Sequence, residues 1–439
     1  MTSVLGIDLG TSGVKVLACS QDGTVLGTGT AGYSVQSPRP GWAETAPEEW
    51  WRATRAAVRD ATAVAGEVAA VAIVGQMHGV VLADAAGTAL RPAIVWLDRR
   101  ADEQAAAYRD LPAALREPLG NQPSPGMAGP LLAWLARHEP GTYASARWQL
   151  QPKDWLRMRL TGTAATDHTD ASGTLLYDQA AGTWATGLTT ALGLRGDLLP
   201  PIHDPAALGG TLQPGPARQL GLPPGLPVAV GAADTAASLH AAALSPAGDQ
   251  ALLTLGTGGQ WVMPAGPGGA AHPGRPDPAG RTNLFRAVDD SYYRLAAAQN
   301  VGATLDWVRR TLRTSWDELY AAAARPAGDH PPVFRPYLAG ERYQHQAEDG
   351  AWTGLTLAHQ REDLMRAALA GVATLLRQTL QDLRTAGSDP ASVLIAGGGA
   401  TNAAWRTLLT QTLGLPIHQA ATSWLTSRGA TLIAASHVT

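Results

Sequence analysis

Two periods of apolar residues run along this chain. VLGIDLG (4–10) is apolar at almost every position and predicts a buried strand. A TSG turn leads to VKVLAC (14–19), a second strand, and QDG (21–23) is a hairpin signal before TVLGTG (24–29), a third. The chain thus opens as an antiparallel meander around a Gly-Thr-x-Gly turn. The figure recurs at ALLTLGTGGQWVM (251–263), again strand, turn and strand. Matching turns, LGTSG (9–13) and LGTGG (255–259), open the two halves, so two similar domains facing a cleft are expected, 1–245 and 246–439.

Between these turns the period alternates. Helical spacing with acids in the first turn covers 46–63, and 68–84 reads as two buried strands around a glycine-bounded turn. GPLLAW (129–134) is helical. In the second half, 298–312, 361–387 and 402–414 read as helices and SVLIAGGG (392–399) as a strand running into a glycine turn. Residues 265–282 form an irregular Pro/Gly stretch. The fold class is α/β with mixed sheets.

Composition narrows the partners. The net charge of −3 gives no electrostatic case for a nucleic-acid or membrane surface. Cys19 is the one cysteine, which excludes an internal disulfide and fits a reducing compartment. The N-terminus enters a strand pattern at once, without a secretory pattern, so a cytoplasmic location is expected. Of 33 basic residues only Lys15 and Lys153 are lysines, which raises the question of what an ammonium does there that a guanidinium does not.

Placement singles out the candidate chemistry. Backbone N–H groups of a Gly-Thr-x-Gly turn can converge on a phosphate, though a tight turn alone also favours glycine. Asp8 ends the first strand, where it can hold Mg²⁺ through water. GTGTAG (27–32) fits a dinucleotide pattern, but YSVQSPRPGW comes next and is no helix, so that reading fails. AGGGATNAAW (396–405) suits close approach of a nucleotide and equally a small-residue helix entry. GQMHG (75–79) sets Met77 and His78 between glycines, as a pocket wall or as core. VWLDRR (95–100) and TDHTDASGT (166–174) add acids and hydroxyls. Asp234 is the only charged residue between Arg218 and Asp249 and sits where a strand gives way to a helix. It is either an N-cap or a general base, and the two roles are compatible only in part.

In order, GIDLGTSGVKV, GQMHG, QPKDWLRMRLTG, TDASGTLLYD, GAADTAASL, TLGTGG and AGGGATNAAWRTLL resemble the FGGY family of carbohydrate kinases over nearly the whole chain. The resemblance implies two ribonuclease H-like, actin-like ATPase domains flanking a central cleft. It also implies transfer of the γ-phosphoryl of ATP to a sugar hydroxyl, with GQMHG indicating D-xylulose. By the same resemblance Asp234 is the catalytic base and Met77, His78 and Thr235 also meet the sugar. Asp8 is the Mg²⁺-associated acid. Thr11, Ser12, Lys15, Gly256, Thr257, Gly258, Gly398, Gly399 and Asn402 serve the nucleotide. A homodimer is a further expectation. A kinase of another polyol (L-ribulose, gluconate or L-fuculose) and a catalytically weak sugar- and nucleotide-binding regulator stay open. The chain departs from the family at Ala233-Asp234-Thr235, where Gly-Asp-Asn is usual, at Leu131 for a lysine, and at Tyr343-Gln344 for Thr-Pro. It also stops at SRGATLIAASHVT, so a shortened second domain is expected.

Overall fold

The computed structural model describes residues 2–245, 248–265, 277, 279–338 and 349–438. Tyr343, Gln344, the junction at 246–247 and most of the Pro/Gly stretch 265–282 lie outside them.

The opening meander forms as its pattern predicts: β1 (Thr2–Leu9), β2 (Gly13–Ser20) and β3 (Val25–Gly32) pair antiparallel in turn. Helix α1 (Pro47–Thr62), with proline in its first turn, Glu48 and Glu49 beside it and Arg59 in the last turn, crosses back over this sheet. β4 (Glu67–Gly75) then lies parallel to β1, and β5 (Pro227–Ala229) parallel to β4. GTGTAG is strand, not a nucleotide loop. A Cβ at Gly27 or Gly29 would run into the Ala61 or Ala57 carbonyl, so these glycines admit α1 close to the sheet.

The second half repeats the order. β7 (Gln250–Leu255), β8 (Gly259–Ala265) and β10 (Tyr292–Ala298) form the antiparallel part, with β9 (Asn283–Arg286) at the edge. β11 (Ser392–Ala396) runs parallel to β7, and β12 (Ile417–Gln419) parallel to β11. The two sheets therefore read β3-β2-β1-β4-β5 and β10-β8-β7-β11-β12, the same directions throughout. This is the ribonuclease H-like, actin-like order that the family resemblance implies, and the paired Gly-Thr-x-Gly hairpins open its two halves as expected.

The two buried strands expected over 68–84 form on either side of a glycine-bounded turn: after Gly75 the chain leaves the sheet, with His78 in the left-handed region at φ 71°, and Val81–Ala83 pairs with Trp148–Leu150. Two details differ from the pattern. The strand at 227 breaks at Gly231, φ 88°, where a Cβ would meet the Ile73 carbonyl, and resumes as β6 (Ala232–Ala233) beside β4. Residues 298–301 are not helical, because Ala298 completes β10 and α5 starts at Gly302 (Gly302–Thr311).

Each half has its own apolar core, one around Trp50, Trp155 and Ile73, the other around Trp261, Leu376 and Trp405. A third cluster crosses between halves, joining Met77, Leu131 and Ala236 to Phe285 and Tyr293. Leu131, on α2 (Ala128–His138), is part of it and fully buried, so a leucine there extends apolar packing.

The last helix, α8 (Leu425–Ala435), belongs by sequence to the second half but packs on β1 and on α4 (Asp234–Ala242). Gly6 and Gly429 make this possible: a Cβ at Gly6 would strike the Ser427 carbonyl, and one at Gly429 the Ala237 carbonyl of α4. Arg428 completes the clasp, donating to the Gly23 carbonyl at 2.6 Å. Gly429→Ala is accordingly expected to destabilise the protein by about 1–3 kcal/mol or more, as overpacked contacts do. Chemical denaturation checks this; an unchanged midpoint would contradict the close approach of α4 and α8.

Candidate active site

β1, β4 and β6 lie side by side and end together, since Leu9 and Ala233 both pair with Gly75. Their carboxyl ends carry Asp8, the Gln76–Met77–His78 segment and Asp234. Strand ends in a parallel arrangement are where α/β folds gather ligands.

Asp234 is the first residue of α4, and Ala233, not Asp234, occupies the cap position without a side-chain cap bond. One carboxylate oxygen, Oδ1, accepts from the Thr235 N–H at 2.6 Å and from the Thr235 hydroxyl at 3.2 Å. Among the described residues no hydrogen bond reaches Oδ2, and the side chain is half-buried. The two readings of Asp234 are thus divided between its two oxygens: Oδ1 ties down the helix start and Oδ2 is open. Burial pushes the carboxyl up to about 6, against the lowering effect of the Thr235 bonds. Thr235 itself is buried, with its hydroxyl turned to Asp234.

Asp8 is buried, and among the described residues no hydrogen bond or ion pair engages its carboxylate. Burial first, then the like charge of Asp234, raise it to about 7, while Lys15, its exposed cross-strand partner on β2, pulls it down. Two carboxyl groups held short of cationic compensation suit a divalent cation. No cluster of three or more ligating side chains exists among the described residues.

The first Gly-Thr-x-Gly turn is braced from several sides. Gly10 N–H donates to Gly13 O at 3.0 Å, and Tyr33 uses its hydroxyl on Gly10 O and its N–H on Ser12 O. The Trp96 indole donates to Thr11 Oγ1 at 2.8 Å. This leaves Ser12 exposed and Thr11 as an acceptor toward VWLDRR.

Met77 and His78 are covered from the other half. The Tyr293 hydroxyl reaches Met77 Sδ at 3.8 Å, Phe285 lies 5.7 Å from the His78 ring, and His78 Nδ1 pairs with Gly173 O at 2.7 Å. Phe285 and Tyr293 carry no sequence signal of a site, and only the meeting of β9 and β10 with the 76–79 segment brings them there; Trp96 lies in VWLDRR, which stands out in the sequence for its acid rather than its indole.

A second group lies in the other half, around a cavity of about 860 Å³. Gly256, Thr257, Gly398, Gly399 and Asn402 all line it, with Tyr320 and Trp405. None of Asp8, Thr11, Ser12, Lys15, Met77, His78 and Asp234 does, so the candidates form two groups on two halves. Gly258 packs under the hairpin, where a Cβ would lie 2.8 Å from Ala298 O. Asn402 caps α7 (Ala403–Leu413), accepting from the Trp405 N–H at 3.1 Å. Its oxygen therefore serves the helix start, and among the described residues no hydrogen bond engages its amide nitrogen.

Similar proteins share this fold and much of this sequence. The N-terminal domain model of the FGGY family of carbohydrate kinases matches residues 3–241 and the C-terminal domain model residues 251–438. A xylulose kinase of Escherichia coli K12 is 35% identical over 93% of this chain and 84% of its own length. One from Klebsiella pneumoniae is 34% identical over 94% of this chain and 85% of its own. A crystal structure of a xyloylose kinase from Brucella ovis superposes with a TM-score of 0.88 at 30% identity, covering 100% of this chain and 91% of that one. With both domain models matched in order over nearly its full length, the chain belongs to the FGGY family of carbohydrate kinases.

Proposed function

We propose that the protein is a cytoplasmic kinase that transfers the γ-phosphoryl of ATP to the terminal hydroxyl of D-xylulose, giving D-xylulose 5-phosphate and ADP. The observation that carries this is the open Oδ2 of Asp234 at the strand ends beside Met77 and His78. The xylulose kinases similar to this chain support the choice of sugar.

Asp234 Oδ2 accepts the proton of the sugar hydroxyl as its oxygen bonds to the γ-phosphorus and the bond to the β–γ bridging oxygen breaks, releasing ADP. Phosphoryl transfer asks little covalent chemistry of a protein beyond this, so alignment and charge compensation do the rest. Met77 and His78, under Phe285 and Tyr293, hold the sugar and exclude water. The backbone amides at Thr11–Ser12 and at Thr257–Gly258 are offered to the phosphates, the Gly256 N–H being held by Gly258 O, with Lys15 as a cation beside Asp8. Gly398, Gly399 and the Asn402 amide meet the nucleoside next to Tyr320 and Trp405. Asp8 would hold Mg²⁺, which supplies charge neutralisation on the phosphates. Thr235, bonded to Asp234, orients the base more than it contacts the sugar. A homodimer is part of the same reading, checked by light scattering.

The test is ADP release on a panel of D-xylulose, L-ribulose, gluconate and L-fuculose. D-Xylulose is expected to give the highest kcat/KM. Equal ADP release with and without it rejects this substrate, and binding of sugar and nucleotide without turnover would point to a regulator instead.

The base also sets a pH dependence. With saturating Mg²⁺, kcat/KM is expected to be on its plateau above the Asp234 value and to fall about tenfold per pH unit as pH drops below about 6. A plateau persisting below pH 5 would exclude a base with this raised value.

A further inference from the structure

Behind Asp234 lies a buried charge cluster that the mechanism does not use. Lys153, on α3 (Pro152–Thr161), has no solvent contact, and its ammonium lies 2.5 Å from Asp154, 2.8 Å from Asp167 and 3.4 Å from Asp170. The three carboxylates are equally buried. In a chain with only two lysines among 33 basic residues, this one occupies a site where a compact ammonium meets three acids and a planar guanidinium fork would not fit.

From Asp167 the contacts lead outward. Its Oδ2 accepts the Thr169 N–H at 2.7 Å and the Thr169 hydroxyl. The same hydroxyl oxygen accepts the Ala233 N–H at 2.8 Å. Because the one hydroxyl proton is committed to Asp167, a lone pair must face Ala233. Ala233 is the residue from which Asp234 projects, and its other side is held by β4 through Gly75.

We propose that the Lys153–Asp167–Thr169 relay fixes the backbone at Ala233 and so aims the Asp234 carboxylate, making Thr169 a positioning residue for the transfer step. A stabilising role alone is a poor account, because buried ion clusters are often no more stable than apolar packing of the same shape. The cluster ends on the amide that precedes the base. The proposal rests on the role given to Asp234 above.

Thr169→Val keeps the shape and removes the acceptor. It is expected to fold with a thermal midpoint near the parent's, to leave KM for ATP unchanged and to lower kcat about 10- to 100-fold, the range in which small misplacements of reacting groups act. Thr169→Ser returns the hydroxyl and is expected to bring kcat back to within about threefold of the parent, since it restores the acceptor. On an Asp234→Asn background Thr169→Val should cost little more, because a misaimed base and a missing base are one defect. A folded Thr169→Val with the parent's kcat overturns the proposal, as does a loss that multiplies in full on the Asp234→Asn background. If Thr169→Val does not fold, Asp167→Asn, which keeps an acceptor but loses the charge, takes its place under the same two criteria. If the parent itself turns over no sugar, the function reading fails and the relay is read by amide exchange: Thr169→Val should speed exchange at residues 233–235, and unchanged exchange overturns it.

Discussion

Asp234→Asn is expected to lower kcat by about 10²- to 10⁴-fold, the usual contribution of a positioned general base. The substitution is chosen for the division of labour between the two carboxylate oxygens. Asparagine retains an oxygen to accept from the Thr235 N–H, so the start of α4 is preserved. It removes the basicity of the other oxygen. A loss in kcat with the thermal midpoint and the ATP affinity intact would assign the loss to proton acceptance. Retained turnover would mean that Asp234 serves its helix and that the sugar proton leaves by another route. Steady-state kinetics beside a melting curve decides between them. The substitution also relieves a like-charge contact, since Asp234 is one of the groups that raise Asp8.

Gly398→Val is expected to raise the KM for ATP about tenfold or more, equivalent to about 1.4 kcal/mol of binding, while leaving KM for the sugar and the fold unchanged. Three adjacent glycines in SVLIAGGG separate fold from function here. Gly397 has φ 93° and a Cβ there would strike the Leu255 carbonyl, so the backbone itself needs glycine. Gly399 is crowded, with Leu255 Cβ 3.1 Å from the position of an added carbon. Gly398 has nothing within 4 Å, yet lines the 860 Å³ cavity. Gly256 on the facing hairpin is likewise open. A glycine that neither conformation nor packing requires marks space kept for something else. Unchanged ATP kinetics in Gly398→Val would show that the nucleotide does not approach this turn.

Local pattern made the architecture legible. Both meanders, the helices at 46–63 and 361–387, and the two-half plan arise from periods and turns that act over a few residues. GTGTAG could be set aside as a nucleotide loop on the same local grounds, because the residues after it form no helix. The actual task of those glycines, admitting α1, needed the crossing helix to be seen. The strands over 68–84 show the same limit: apolar runs predict strands but not which neighbour they take. At the site, Asp8 and Asp234 stood out as acids in apolar surroundings. The fixed Oδ1 and open Oδ2 could not be inferred, since a shift of one residue in the helix start exchanges a cap for a first-turn side chain. Phe285 and Tyr293 were illegible because they lie more than two hundred residues from the segment they cover, and ordinary core residues look the same. Lys153 was visible as a rare letter inside the QPKDWLRMRLTG motif, with no sign of its partners. Its meaning depends on Asp167 and Asp170, which become its partners only once α3 packs beside the turn that carries them.

The seating of α8 against Gly6 and α4 has a consequence for the order in which this protein can be made. A ribosome delivers β1 long before residues 425–435. Until residues 425–435 emerge, the groove floored by Gly6 and Ala237 lacks α8, and the first half waits with one face of its sheet uncovered. The two halves therefore cannot mature one after the other as independent beads. The helix that carries Asp234 acquires its full support only once α8 has emerged and packed against it.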